Sequence, residues 1–234
     1  MSSKSTIHTQ YFAQLIIWDW NGTLLNDANV CVESINMLLN RRNKALIDKN
    51  TYQKLFTFPV RNYYELIGFD FAEEVFEKPA LEFMDLYTAK VSEAKLQPWA
   101  IDVLITLASR GFKQVIVSAM EQKLLDKLLE ENGIRNLFQG IHGIDNHFGH
   151  GKAELAKNMI SQMGIDKSKV IFIGDTIHDL EVSNSIGCPC IIFPGGHQSI
   201  KRLKEAIKDY PRSTIVDNLL KIPEIIHYRN TPIS

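Results

Sequence analysis

Four polar side chains stand where short apolar runs stop. Asp19 follows Leu15-Ile16-Ile17-Trp18, Ser118 follows Val115-Ile116-Val117, and Asp175 follows Val170-Ile171-Phe172-Ile173-Gly174, while Lys152 opens a helical stretch just after the weaker run Gly140 to Ile144. Any one such aspartate reads most simply as a helix cap or turn residue. The four together suit phosphate and magnesium. Carboxylates are the hard oxygen ligands magnesium prefers, lysine is a point cation for phosphate, and a serine hydroxyl can donate to phosphoryl oxygens. A phosphate monoester carries about two negative charges, so an anionic nucleophile needs such help to approach it.

The elements that must hold these groups are legible in the apolar pattern. The runs ending at Asp19, Ser118 and Asp175, together with Gly140 to Ile144 and Cys190 to Phe193, are too short for helices and rich in β-branched residues, as strands are. Helical stretches lie between them. Glu121 to Glu131 puts Leu124, Leu125, Leu128 and Leu129 on one face and stops at Gly133. Lys152 to Met163, Ile177 to Ile186 and Ala100 to Arg110 have similar character. This alternation predicts an α/β fold: a Rossmann-like parallel sheet of five to six strands with helices on both faces. In such sheets ligands bind at the carboxyl ends of the strands.

Residues 25–95 break the rhythm and hold no convincing strand. Val30, Ile35, Leu38 and Leu39 suggest one amphipathic helix, Tyr63 to Ile67 a short second one, and Phe71 to Val91 a longer helical stretch that includes Pro79. The expected organisation is a core of residues 1–24 and 96–234 with an all-helical insertion, 25–95, tethered by linkers near Leu24–Asp27 and Glu93–Trp99. A length of 234 residues, long for one minimal domain and short for two, fits that plan.

A net charge of −1 gives no basic field for nucleic acid. No apolar run approaches the roughly 18 residues of a membrane span. The polar start, Met1 to Gln10, reads as a loose tail without the apolar stretch of a secretion signal. Cys31, Cys188 and Cys190 fit no zinc or thioredoxin spacing and are expected as buried thiols in a reducing cytoplasm. His142, His147, His150, His178 and His197 follow no ligand spacing and are expected in loops or at the surface.

Four motifs carry a resemblance. Asp19-Trp20-Asn21-Gly22-Thr23 resembles the first motif of the haloacid dehalogenase superfamily, Asp-x-Asp-Gly-Thr in its phosphatases. Val115-Ile116-Val117-Ser118 is similar to the second, Lys152 to the lysine of the third, and Gly174-Asp175-Thr176-Ile177-His178-Asp179 to the fourth, Gly-Asp-x-x-x-Asp. All occur in family order, each at a strand end, over residues 14–217. The insertion corresponds to the family's helical cap, and Leu96 to Met120 resembles phosphoglycolate-phosphatase-like members.

The resemblance implies a magnesium-dependent phosphatase acting on a small phosphorylated metabolite. Asp19 would be the nucleophile. Asp19, Asp175 and the backbone carbonyl of Asn21 would bind magnesium, with Asp179 holding a metal-bound water or Lys152. Ser118 and the backbone around Asn21, Gly22, Thr23 and Ala119 would hold the phosphoryl group, and Lys152 would neutralise it. Arg61 in the insertion is a candidate for a substrate carboxylate.

One position departs from the pattern. The family's phosphatases have a second aspartate two residues after the nucleophile, which protonates the leaving group; here that residue is Asn21. An amide hydrogen-bonds but does not exchange protons near neutral pH, and general acid–base help is typically worth about 10²–10⁴ in rate. Four readings follow: a phosphatase for leaving groups that need little protonation (acyl, aryl or anhydride), a phosphate-binding or regulatory protein without turnover, a carbon–phosphorus hydrolase, or a dehalogenase. The carbon–phosphorus reading needs a Schiff-base lysine from the insertion, with Lys44, Lys49, Lys54, Lys78 and Lys90 available. The dehalogenase reading conflicts with a fourth motif that implies a metal.

Overall fold

The computed structural model describes residues 10–144 and 151–228. In chain order, β1 (Tyr11–Ala13) and β2 (Leu15–Trp18) lead into α1 (Ala28–Arg41), α2 (Lys49–Leu55), α3 (Val60–Leu66) and α4 (Glu77–Lys90). There follow α5 (Ala100–Ser109), β3 (Lys113–Glu121), α6 (Gln122–Glu131), β4 (Gly140–Ile144), α7 (Lys152–Gln162), β5 (Val170–Gly174), α8 (Ile177–Ile186) and β6 (Cys190–Ile192). The chain closes with α9 (Ile200–Ala206), β7 (Thr214–Ile215), α10 (Ile222–Ile225) and β8 (Ile226–Tyr228).

Six strands form one parallel sheet in the order β4-β3-β2-β5-β6-β7. Their apolar residues divide by pleat, as period-2 alternation requires. Ile16, Trp18, Ile116, Ile171 and Ile173 join one core, while Leu15, Ile17, Val115, Val117 and Phe172 join the core on the opposite face. Continuous burial of Leu15–Trp18 thus reflects helices on both sides. The order reverses direction at β2, which lies between β3 and β5, so the crevice beyond these strands is the topological switch point where such sheets bind ligands.

Local signals end the elements as anticipated. Leu124, Leu125, Leu128 and Leu129 are buried on α6, whose N-terminus is capped by Glu121 accepting from the Lys123 and Leu124 N–H groups. Thr176 and Asp179 form a capping box on α8. Three features differ from expectation. β3 runs past Ser118 to Glu121, with a register shift against β4 where Ser118 Oγ takes the Met120 N–H. The long helix of the insertion starts at Glu77, not Phe71, and Pro79 sits in its first turn, where a missing N–H costs nothing. The strands β1, β7 and β8 and the helices α2, α9 and α10 add to the expected elements; strands of two or three residues and helices of four to seven leave no clear periodic trace.

Residues 28–93 hold helices, turns and loops but no strand, and their two connections to the sheet pair with each other. Leu25 and Leu96 form an antiparallel bridge, Asn26 N–H donates to Lys95 O (2.8 Å) and Gln97 N–H to Leu24 O (2.7 Å). A second tie joins α2 to the segment after β6. Gln53 Nε2 donates to Gly196 O (2.7 Å), Ser199 N–H to Gln53 O (3.0 Å) and Gln198 Nε2 to Phe56 O (3.0 Å).

Within the insertion, Arg42 at the end of α1 forks onto two acids. Its Nε and Nη2 meet Glu74 at 2.7 and 2.9 Å, and its Nη1 and Nη2 meet Glu82 at 3.1 and 3.0 Å. Charged hydrogen bonds of this kind contribute about 1.5–3 kcal/mol when sheltered. Arg42→Ala is therefore expected to lower the unfolding free energy by about 1–3 kcal/mol in denaturant titration, and Arg42→Lys to recover little, because an ammonium cannot fork.

Cys31, Cys188 and Cys190 are buried free thiols, as expected. Among the described residues no helix is long and apolar enough to cross a membrane. The expected tail at residues 1–9, and His147 and His150, lie outside the described residues.

Candidate active site

Asp19 extends the β2 ladder by one bond, its N–H donating to Ile173 O at 2.8 Å, which fixes its carboxylate at the carboxyl edge of the sheet. Asp175 occupies the same edge one strand away, after β5. Two glycines make room for it: a Cβ on Gly22 would lie 2.3 Å from Asp175 Oδ2, and one on Gly196 would lie 2.1 Å from it. Gly22 also has φ +75°, a left-handed turn that side chains resist. Thr23 Oγ1 sits between the carboxylates, 3.1 Å from Asp175 Oδ1 and 3.3 Å from Asp19 Oδ2.

Lys152, first residue of α7 and 4% exposed, reaches Asp19 Oδ1 at 2.5 Å and Asp179 Oδ1 at 2.7 Å. The other oxygen of Asp179 accepts from the N–H groups of Asp175 and Thr176 and from the Thr176 hydroxyl. In this geometry Asp179 holds Lys152 and the start of α8. Lys152 thus pairs with two of three buried carboxylates whose oxygens converge within 4.8 Å. The imbalance shows in their acidities. Burial lifts the Asp19 carboxyl to about 6 despite Lys152, with Asp179 adding to the rise. Burial also drives Asp175 well above the ordinary range, against the pull of His197 and with Asp19 adding to the rise. For Asp179, burial is outweighed by Lys152, and the carboxyl is lowered.

Above these groups lies a cavity of about 500 Å³ between the sheet edge and the insertion. Asp19, Asn21, Ala119, Lys152, Asp175, Asp179 and Arg61 line it. Gly22, Thr23 and Ser118 do not. Thr23 is fully buried beneath the carboxylates, and Ser118, also fully buried, points its hydroxyl at Asn21 Oδ1 (3.4 Å). Arg61 stands half-exposed at the margin, 3.3 Å from Glu65 and over the Phe71 ring. Of the insertion lysines considered above, none lines the cavity.

Asn21 has partners that sequence reasoning missed. Its Nδ2 donates to Asp27 Oδ2 (2.7 Å) and lies 2.7 Å from the Tyr87 hydroxyl, which itself donates to Asp27 Oδ2 (2.6 Å). Asp27 Oδ1 accepts the Gly22 N–H (2.9 Å) and lies 3.3 Å from His197 Nε2, whose Nδ1 meets the Tyr52 hydroxyl at 2.9 Å. His197 lies in a loop, one of the two expected places, but not at the surface: it is 5% exposed. Its burial is sustained by the Asp27 charge, which overcomes desolvation and raises the imidazolium to about 9. For Asp27, desolvation is outweighed by His197 and by its hydrogen bonds, and the carboxyl is lowered. The available signal was positional: Gly195-Gly196-His197-Gln198 follows a strand at the same carboxyl edge as Asp19 and Asp175. His142 and His178 also depart from the expected loop or surface positions: they lie on β4 and α8 and are half-buried, His178 packing against Phe58 at 4.8 Å.

Residues 16–193 match the family model of the haloacid dehalogenase-like hydrolases. The chain belongs to that family. Its relatives there include a phosphoglycolate phosphatase of Caulobacter vibrioides, 23% identical over 94% of this chain and 93% of the relative. One of Aquifex aeolicus bearing the same name is 26% identical over 86% of this chain and 92% of its own. Among solved structures, a predicted phosphatase from Clostridium acetobutylicum superposes with a TM-score of 0.74 at 22% identity, covering 91% of this chain and 97% of that one. A haloacid dehalogenase-like hydrolase from Bacteroides fragilis gives 0.76 at 17% identity, over 88% and 98%. These likenesses show the haloacid dehalogenase fold, and within it the Asp19 edge is where this chain gathers its buried carboxylates and lysine.

Proposed function

We propose that this haloacid dehalogenase-like hydrolase is a magnesium-dependent phosphatase for a small phosphorylated metabolite whose leaving group needs little protonation. The observation that carries the reading is the pairing of Asp19 and Lys152 beside an amide, Asn21, whose nitrogen is spent on Asp27 and Tyr87. An Asp19 oxygen bonds to phosphorus as the bond to the leaving group breaks, giving an aspartyl-phosphate. Water then cleaves that mixed anhydride and restores Asp19. Lys152 neutralises phosphoryl charge, and the backbone around Asn21 and Ala119 orients the group. Asn21 holds its place without moving a proton, so the leaving group departs on its own basicity. Residues 25–95 act as a cap that selects substrate, and 1–24 with 96–234 form the catalytic core. The buried free thiols suit a reducing cytoplasm.

The donor set fits magnesium. All ligating atoms on offer are oxygens: three buried carboxylates converge, Lys152 pairing with Asp19 and Asp179 but not with Asp175. Asp19, Asp175 and the Asn21 carbonyl would hold it, with Asp179 at its outer edge. When bound it supplies charge neutralisation between nucleophile and phosphate. Calorimetric titration of magnesium is expected to show weak binding that Asp175→Ala abolishes; binding of equal strength in that variant refutes the assignment.

The carbon–phosphorus reading loses its footing, because it needs an insertion lysine at the cavity. The deciding experiment is a panel of acyl, aryl and alkyl phosphates with and without magnesium. Faster turnover of acyl and aryl esters that needs Asp19 is expected. Absence of any Asp19-dependent turnover would leave phosphate binding as the function instead.

A further inference from the structure

The cavity above Asp19 is larger and less polar than a short phosphorylated acid requires. At about 500 Å³ it lies within the roughly 300–1,000 Å³ typical of sites that enclose an organic ligand. Its carboxylates, Lys152 and Asn21 gather at the sheet edge. The insertion contributes aromatic and apolar walls. Tyr52, Tyr63 and Tyr64 are only 2% exposed and serve as packing, but Phe56, Phe58, Phe76, Phe83 and Met84 are half-buried and line the space. Phe56 and Phe58 meet edge to face at 5.4 Å; Tyr52 stacks on Phe56 and His178 packs on Phe58, and both phenyl rings still line the cavity. For a substrate carboxylate the insertion offers only Arg61 among the described lining residues, already beside Glu65, with Glu77 adding a like charge to the wall.

A second observation is independent of the first. The residue placed to protonate a leaving group is an amide, and phenols are among the few alcohol-type groups that depart from phosphorus without a proton. We propose that the cavity takes a small aryl phosphate, the phosphate monoester of a phenol, its ring held among Phe56, Phe58, Phe76, Phe83 and Met84. This rests on the phosphatase reading above. The Asp19 oxygen bonds to phosphorus, the phosphorus–oxygen bond to the ring breaks, and the aryloxide leaves with the electron pair and takes a proton from water. Hydrolysis of the aspartyl-phosphate then releases inorganic phosphate.

The test compares 2-naphthyl phosphate with acetyl phosphate, which has a good leaving group but no ring, and with phosphoglycolate, which has a carboxylate. Naphthyl phosphate is expected to have the higher kcat/KM by about tenfold or more, chiefly through KM, the scale on which an apolar pocket discriminates. Phe58→Ala and Phe83→Ala are expected to lower that value at least about tenfold more for naphthyl phosphate than for acetyl phosphate. Acetyl phosphate turned over as well as naphthyl phosphate overturns the aryl assignment and leaves the phosphatase reading standing; phosphoglycolate as the best substrate also overturns it. Turnover of none of them sinks the phosphatase reading itself. Ring recognition is read separately on the wild-type protein by calorimetry with naphthylphosphonic and methylphosphonic acids. At least about tenfold tighter binding of the former supports the ring site, and equal affinity refutes it, whether or not the alanine variants fold.

Discussion

Asp19→Asn is expected to cut turnover of every phosphate ester by roughly 10⁴-fold or more, the scale on which an enzyme loses its nucleophile. The amide matches the carboxylate in shape but cannot form the acyl phosphate. The fold is expected to persist and to melt at the same temperature or higher in chelator-containing buffer. Burial lifts the folded Asp19 carboxyl to about 6, above its value in the unfolded chain. Folding therefore favours the protonated form, and stability is lost as the pH rises from the carboxyl's ordinary value to about 6, the full cost persisting above it. Asparagine removes this cost, while Lys152 keeps Asp179 as its partner at 2.7 Å. Beryllium fluoride should leave a mimic of the phosphorylated residue on wild-type Asp19 and none on the variant. Retained activity in homogeneous Asp19→Asn would end the covalent mechanism.

The second large effect is at Asn21. Asn21→Asp supplies the missing acid, and activity on alkyl phosphates is expected to rise roughly tenfold or more, given the usual value of general acid–base help. Aryl phosphates should gain much less, because their leaving groups depart without a proton. The structure adds an opposing consequence. The new carboxylate would stand where Asn21 Nδ2 now gives Asp27 a donor at 2.7 Å, so a half-buried acid would face a buried one. Like charges at such a distance repel, and the variant is expected to melt lower than wild type at neutral pH. Adding Asp27→Asn, which reverses the donor and acceptor, should recover part of that loss. Equal alkyl-ester rates in wild type and Asn21→Asp would mean that another group delivers the proton. Mass analysis belongs with the assay, because Asn-Gly pairs deamidate readily. In the fold the Gly22 N–H that would attack is engaged by Leu25 O and Asp27 Oδ1, both at 2.9 Å, which protects the native chain.

The sheet and the carboxylate–lysine group were legible because each depends on a short local pattern. A buried parallel strand must be apolar on both faces, and a residue after its last apolar position must lie at the sheet edge. That places Asp19 and Asp175 without knowledge of tertiary contacts, the helix opening at Lys152 brings in the cation, and Asp179, inside α8, came from the resemblance of its motif. Asp27 and His197 were not legible for the opposite reason. They belong to the start of the insertion and to the segment after β6, and only the finished packing sets them 3.3 Å apart. The helix α2 was missed because its seven residues bury one side chain, Tyr52, and that one through contact with His197 and Phe56. The aromatic cavity is a property of half-burial, which no residue's type reveals.

The bridge between Leu25 and Leu96 has a consequence for descent. Because the chain leaves the sheet and returns at neighbouring points already joined by backbone hydrogen bonds, what lies between them is a cassette. Its length and content can drift, or be exchanged whole, without moving the register of any strand. Loop-closure entropy rises only slowly with length, so the size of such a cassette is weakly constrained. The seam is not blank, however. The segment after β6 gives its polar groups to Gln53 and Phe56, so a foreign cassette would arrive with Gly196 O and Gln198 Nε2 lacking their mates. Inheritance of a new insertion in this lineage would have to carry both sides of that seam together.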